Sequence, residues 1–480
     1  MTNVEKNKVT ITRLTSLITV TVMVLFLVLV LLGFLMRVSQ GAIIQLPPDF
    51  FYAIMTLHGL GMAGTLFVGG ITAISFLLSK YVNLSTGLMK LNFGLILVGV
   101  VGLVIATLIG RFGAGWYVLY PLPFLEGAWP RWTVVTVIVS VMLLGVAWLL
   151  WQLDILRAIV VRYKLNGFLG WKYFSEKPEG EEVPPLVIIS SVSVIAGALT
   201  TVFGALMLML YLIQWINPDM HFNALLMKNL VFLFGHTIVN ITMYFGLGIV
   251  YELLPNYTGR PWKSNKFIAY AWNAALVFVL VAYFHHLYMD FAQPVALHFI
   301  GQVASYLSTV PATVVTIFGA MAQFYKSGLK WKFAPLAMGL SLMGWLIGGF
   351  IAVVDSTIIV NNFFHNTLWV TSHFHTYYLL GFVLMQFAFI YDYFDVKSEG
   401  SSKLSLYMML IGGYGIITMF AVAGVNSVPR RYASYVNIPF ESVVKSGQST
   451  AAIASIFALV LIVGVLLVYK NILSSFKNRW

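Results

Sequence analysis

Along its length the chain alternates long apolar stretches with short polar joints. A helix crosses the ~30 Å hydrocarbon core of a bilayer in about 20 residues. Twelve stretches reach that length: 14–37, 52–80, 91–110, 132–153, 185–216, 227–253, 267–290, 296–323, 332–354, 366–392, 404–427 and 449–470. The pattern predicts an all-α fold, a polytopic membrane bundle of about twelve transmembrane helices forming a single transmembrane domain over 1–480. The first stretch is too long for a signal peptide and lacks a small-residue cleavage site. The longest polar connection, 154–184, reads as a plain linker.

Composition agrees and narrows the class. Hydrophobic residues make up 60% of the chain and charged residues 9%, against about 25% charge in soluble domains. A soluble globule and a disordered tail are both excluded. Cysteine is absent, which removes disulfides, iron–sulfur clusters and thiolate metal sites. A net charge of +12 invites a nucleic-acid reading, but the bases are sorted by loop. One alternate set of loops holds 21 of the 28 Lys and Arg, from Lys6 and Lys8 through Arg157 and Arg260 to Lys477 and Arg479. The other holds Arg37, Arg111, Arg131, Lys228, Arg430, Arg431 and Lys445. The positive-inside rule then predicts both termini in the cytoplasm and no nucleic-acid partner.

Six of the nine histidines fall at one depth. His58, His236, the pair His285 and His286, and the pair His373 and His375 sit near the outer ends of the second, sixth, seventh and tenth stretches. At 1.5 Å per residue each lies about 10 Å below the outer surface. Polar side chains in a bilayer are costly and face a bundle interior with a partner, and neutral imidazole is the commonest metal ligand. His373 and His375 project about 200° apart on one helix, so they serve two metals, not one. His285 and His286 can converge on one ion, with His236 as the third ligand. His58 can pair with one residue of the tenth stretch. The sum is one bis-His site, one mono-His site and one three-His site. These suit an electron-transfer haem, a gas-binding haem and, most readily, copper. A transporter using the histidines as a proton relay is the alternative from another class.

The residues resemble subunit I of the haem–copper oxidase superfamily. The resemblance is carried by Thr56-Leu57-His58-Gly59 with Met62, Gly235-His236, Phe284-His285-His286, His365-Asn366-Thr367 running on to His373-Phe374-His375, and Val428-Pro429-Arg430-Arg431-Tyr432. It covers the second to eleventh stretches, and the texture around His236 and Tyr251 is most similar to the B-family. The resemblance implies that His58 and His375 ligate a low-spin haem, His373 a high-spin haem, and His236, His285 and His286 a non-haem metal. Copper is favoured there and iron is the other candidate. It further implies that Arg430 and Arg431, with His365 nearby, meet the haem propionates. A respiratory enzyme of the cell (inner) membrane follows, with an electron-donating subunit II fed by cytochrome c, a small copper protein or quinol.

The sequence departs from that family at one chemically loaded place. Oxygen reductases of the A and B families carry a tyrosine four residues after the first metal-ligand histidine; here the residue is Asn240. The phenol supplies an electron and a proton for O2 cleavage, which an amide cannot do. Joining two NO molecules needs only two electrons, and Asn240 can donate a hydrogen bond to a bound N–O group. Tyr283 points away from His285 and is no replacement. Positions of the family's cytoplasmic proton channel become Ala312 and Val315, with Tyr251 kept and Thr313 or Thr316 as substitutes, and an acid four residues before His365 becomes Asn361. Glu252 lies about 24 Å along the helix from His236 and cannot ligate that metal. Glu126, Asp290 and Asp355 offer an outer proton entry. The expected function is therefore a nitric oxide reductase, 2 NO + 2 e⁻ + 2 H⁺ → N2O + H2O, with an O2-reducing terminal oxidase as the alternative.

Overall fold

The structure, a computed structural model, describes residues 3–397 and 400–477. Arg479, and the side chains of Lys6 and Lys477, lie outside that part. The helices are α1 (Asn3–Gln40), α2 (Pro48–Leu78), α3 (Thr86–Val104), α4 (Arg131–Phe168), α5 (Pro185–Ile216), α6 (Ala224–Thr258) and α7 (Lys266–Ala282). They continue with α8 (Val295–Phe324), α9 (Phe333–Asp355), α10 (Ile358–Phe364), α11 (Leu368–His375), α12 (Val383–Tyr393), α13 (Gly400–Val425) and α14 (Glu441–Lys477). Among the described residues there is no strand, only an isolated bridge between Thr367 and Pro429.

Among the described residues twelve helical spans are long and apolar enough to cross a membrane, and the protein is a multi-pass membrane protein. Helices suit that medium because every backbone polar group is satisfied within the element. Local chemistry marks their ends. Proline opens α2 and α5, where its missing N–H costs nothing. Asn223 and Asn265 cap α6 and α7 by accepting from backbone N–H groups two to three residues on. Gly259 closes α6 in the left-handed region at φ 68°.

Sequential helices pack as neighbours: α1 on α2, α3 on α4, α5 on α6, α7 on α8, α13 on α14. The most buried spans are α6 and the α11–α12 segment, at 78% and 83%, against 33% for α3 and α8. The first two therefore form the interior and the last two face lipid.

Five features differ from the sequence expectation. The 154–184 segment is not a plain linker: α4 runs on to Phe168 with a break at Lys164, followed by a 3-10 turn over Trp171–Phe174. Its charges are tied down within the helix, where Arg157 pairs with Asp154 at 2.6 Å and Asp154 accepts from Ser85 N at 2.8 Å. The tenth span is interrupted by a π-helical turn over Thr376–Phe382, and α3 ends in another over Ile105–Ile109. The short helix α10 precedes α11 without a hydropathy signal. Arg37 belongs to the last turn of α1 and not to a loop.

Candidate metal centre

The interior helices bring three imidazoles together. His236 comes from α6, and His285 and His286 from a 3-10 turn, Tyr283–Leu287, that prolongs α7. Ligand nitrogens of the three lie within 4.8 Å of one another. Ring centroids are 5.0 Å apart for His236 and His285, 5.5 Å for His236 and His286, and 4.2 Å for His285 and His286. The 3-10 geometry sets the adjacent pair about 120° apart, not the 100° of an α-helix, and both rings still turn to His236. Among the described residues this is the one group of three such ligands, and it contains no carboxylate. Glu252 is elsewhere, bound by Lys80 at 3.1 Å and Tyr81 at 3.0 Å.

Hydrogen bonds settle which ring nitrogens are free. His285 Nδ1 lies 2.9 Å from Ser305 Oγ, whose own hydrogen goes to the Gly301 carbonyl at 2.6 Å. The hydroxyl therefore accepts, Nδ1 carries the proton, and Nε2 keeps its lone pair. His58 Nδ1 donates to the Leu29 carbonyl and His375 Nδ1 to the Thr371 carbonyl, both at 2.8 Å. A carbonyl can only accept, so these two rings also present a free Nε2. His58 and His375 are close enough to interact electrostatically, as are His373 and His285. His373 Nδ1 is buried and lies toward the Gly348 carbonyl without a well-formed bond. The 200° separation on α11 thus sends one ring toward α2 and the other toward the triad.

The rings border an internal space. Residues 58–64 of α2 all keep accessible surface, whereas 65–75 of the same helix are buried. Gly33 of α1 makes room there, since a Cβ at that position would stand 2.9 Å from His58 Cε1. The donor set and the space would fit haem irons and a further metal ion. His58 with His375 suits a closed iron, His373 an iron with one open side, and three neutral imidazoles suit copper.

Near the triad stand the two arginines. Arg430 donates to Asn366 Oδ1 at 3.1 and 3.3 Å, and its backbone N–H to the Asn366 carbonyl. Among the described residues neither Arg430 nor Arg431 has a carboxylate within ion-pair distance. Burial, then the neighbouring Arg431, lowers Arg430 to about 9. Two half-buried guanidiniums without a protein carboxylate in reach fit the carboxylate arms of a bound cofactor. His365 Nδ1 lies 3.2 Å from Asn361 Oδ1, and burial followed by Arg430 lowers this imidazole to about 4. Asn240 Nδ2 lies 3.2 Å from His236 Nε2 and 2.8 Å from the His236 carbonyl.

His221 is exposed, and His298 packs 5.4 Å from the Tyr288 ring; neither joins the group. Sequence reasoning missed Ser305, the Leu29 and Thr371 carbonyls, Gly33 and Arg37. The Arg37 guanidinium sits 4.9 Å over Phe420, whose ring is 5.1 Å from His375. A lone glycine or arginine in an apolar stretch was the available signal for the last two.

Fold and site together define a polytopic helical membrane protein with an interior cluster of three histidines that could hold a metal ion. The chain belongs to the family of cytochrome c and quinol oxidase polypeptide I, which it matches over residues 13–460. Members of that family bind haems and a copper or other metal site. Among its relatives is the cytochrome c oxidase subunit 1 of Cereibacter sphaeroides, 27% identical over 52% of this chain and 44% of that protein. The probable cytochrome c oxidase subunit 1 of Bradyrhizobium diazoefficiens is 24% identical over 93% of this chain and 67% of that protein. The quinol oxidase subunit 1 of Sulfolobus acidocaldarius is 23% identical over 81% and 75%. The match thus spans under half the length of the first relative. A heme-copper terminal oxidase dimer solved by cryo-EM has the same fold, with a TM-score of 0.80 over 97% of this chain and 84% of that one at 18% identity.

Proposed function

We propose that this chain is the catalytic subunit of a respiratory terminal reductase of the cell (inner) membrane, and that it couples NO: 2 NO + 2 e⁻ + 2 H⁺ → N2O + H2O. Both termini are cytoplasmic in this reading, which puts the arginine pair at the outer side. His58 and His375 hold a low-spin haem, His373 a high-spin haem, and His236, His285 and His286 a non-haem metal, copper before iron. When bound, these groups supply the electrons and the open coordination positions for the gas.

The chain's own residues do the rest. Ser305 and the carbonyls of Leu29 and Thr371 fix the tautomers that leave ligand nitrogens free. Arg430, Arg431 and His365 anchor the propionates. Asn240 orients the His236 ring through Nδ2, and the N–H at the longer ring contact is the one that turns to a bound N–O group. Electrons reach the site from a second subunit or carrier: cytochrome c, a small copper protein or quinol.

The observation that carries the substrate is Asn240. Cleaving O2 takes four electrons at once, one of them from a phenol beside the metal in this family's oxidases; joining two NO molecules takes two. The contacts of the three imidazoles are to Asn240, Ser305, Phe232 and one another. Tyr283 turns away and donates to Asn229 at 3.0 Å. The second reading, O2 reduction, is favoured by the names of the relatives, all oxidases. Purified protein given reductant, with NO and O2 tested side by side, separates them. N2O formation is expected; rapid oxygen uptake with negligible N2O overturns the proposal.

A further inference from the structure

At the end of the bundle away from the histidines lies a half-open cleft of about 480 Å³. Its walls come from the residues just past α2 and from the last turns of α4, with Glu181 added by the 175–183 segment. Tyr81, Asn83, Arg157, Val161, Arg162 and Glu181 stand in its lining. Tyr81 follows His58 by 23 residues, most of them helical, so the cleft is roughly 30 Å from the level of the histidines.

Two arginines are held in this lining. Arg157 donates from Nε and Nη2 to Asp154 Oδ1 at 3.1 and 2.6 Å, and from Nη2 to the Asn83 carbonyl at 3.3 Å. Buried Asp154 accepts in turn from Ser85 N at 2.8 Å. The guanidinium thus bridges α4 to the joint between α2 and α3 and keeps Nη1 to spare. Arg162 donates from Nη2 to Glu181 Oε1 at 2.6 Å, and both partners are exposed; such a pair is weak in water. Lys172 secures the Glu181 segment by donating to the Glu179 and Glu181 carbonyls. Of the charged groups that line the cleft two are positive and one is negative, a surplus of one positive charge.

Apolar surface leads away from the cleft along α3 and α4, which pack on each other. On α4 the exposed residues Val160, Leu153, Val146 and Val139 recur every seven positions. On α3 and its terminal turn Leu91, Val98 and Ile105 do the same. Seven residues are close to two helical turns, so each set forms a stripe along one face. Val160 adjoins Val161 of the cleft, and Leu91 lies in the second turn of α3.

We propose that this cleft binds the phosphodiester of an anionic phospholipid, whose acyl chains lie along the α3 and α4 stripes. A phosphodiester carries one negative charge, which equals the surplus of the lining. Its two unesterified oxygens match guanidinium N–H groups, which hold phosphate in parallel charge-assisted bonds. Arg157 supplies Nη1, Arg162 supplies its fork once Glu181 is displaced, and the Asn83 amide adds a donor. Basic pockets at the ends of transmembrane helices take headgroups of this kind. Free phosphate satisfies the same donors but leaves the stripes uncovered. A zwitterionic lipid covers the stripes but brings a cation of its own to the arginines. The inference holds whichever gas the enzyme reduces.

The test is photolabelling of the detergent-solubilised holoenzyme with a phosphatidylglycerol that carries a diazirine on one acyl chain, mapped by mass spectrometry. Label is expected in 86–109 and 131–162. Dioleoylphosphatidylglycerol should displace it at about tenfold lower concentration than dioleoylphosphatidylcholine. In Arg162→Gln the label should fall by about tenfold, as for the loss of one charge-assisted contact. An unchanged haem absorption spectrum shows that the variant is folded; Asn83→Asp, which sets a second negative charge in the lining, replaces it if that spectrum is lost. Label spread evenly over the lipid-facing helices, equal displacement by the two lipids, or label indifferent to the variant overturns the proposal. Displacement by inorganic phosphate as effective, mole for mole, as by the anionic lipid assigns the cleft to a free anion and overturns it too. A failed N2O assay leaves all of these readouts intact.

Discussion

Asn240 and His236 are bonded one helical turn apart: the amide nitrogen stands 3.2 Å from ring Nε2 and 2.8 Å from the carbonyl oxygen of the same histidine. The position that carries an oxidisable phenol in the family's oxidases here carries a group that steadies the His236 ring. The amide is a structural partner of the ring before it is a partner of any substrate.

Replacing Asn240 by tyrosine alone is expected to leave O2 reduction slow. O2 reduction needs proton delivery and the fixing of the phenol to the ring as well as the phenol itself. Oxygen uptake by purified Asn240→Tyr with excess reductant measures this; robust turnover would show that the missing phenol was the sole defect. Asn240→Leu, by contrast, keeps the volume and removes the hydrogen bonds. N2O formation should fall by roughly tenfold for about 1.4 kcal/mol of lost stabilisation, with metal content unchanged.

The spans and the depth of the histidines were legible because both follow from hydropathy and from 1.5 Å of rise per residue. The π turn after His375 and the 3-10 turn at His285 were not, because tertiary packing chooses between helix types that share one apolar pattern. Ser305 was invisible for a related reason: its bond to His285 spans 20 residues of sequence. Arg37 counted as a loop charge because hydropathy cannot distinguish the last turn of a helix from the first residue outside it. The extension of α4 past 153 was hidden by the charges Asp154 and Arg157, which satisfy each other on the helix surface.

His58→Ala is expected to abolish the low-spin haem absorption while part of the high-spin signal survives, since His373 faces the other side of α11. Gly33→Ala is the milder probe. Its added Cβ would come within 2.9 Å of His58 Cε1, so the ring must rotate, at a typical overpacking cost of about 1–3 kcal/mol. The low-spin band should shift or broaden with the high-spin band unchanged. An unaltered spectrum in Gly33→Ala would remove His58 from the low-spin site.

The polar column between α6 and α8 bears on proton supply. Tyr251 bonds Thr316 at 2.6 Å, and Thr258 bonds Gln323 at 2.6 Å one heptad nearer the helix ends. Thr313 bonds its own helix at Thr309 and is no relay. Toward the triad the next position on α8 is buried Ala312, which breaks the column. Thr316→Val should therefore cost about 1–2 kcal/mol of stability by stranding the phenol on Trp272 alone. N2O turnover should stay within about twofold. Asp290→Asn, which dissolves the 2.6 Å pair with Lys228 near the triad, should slow turnover more. The reverse ranking would place proton entry on the α6–α8 side.

Acid stability should be governed in part by His365. Its imidazole is held at about 4 against an ordinary 6.5, by burial first and then by Arg430, with Arg431 and Lys228 in the same sense and Asp290 opposing. Between those values the unfolded chain binds a proton that the folded protein refuses, so stability rises with pH across the window. It is fully present above about 6.5 and lost as pH falls toward 4, by up to about 3 kcal/mol for a shift of this size. The half-life of the visible haem band at fixed temperature measures it, because unfolding of a membrane enzyme is read as a rate. Wild-type protein should lose half-life steeply between pH 6.5 and 5, and His365→Gln, which keeps a hydrogen-bond donor for Asn361 but cannot titrate, should flatten that slope. Equal slopes in the two proteins would assign the acid sensitivity to other groups.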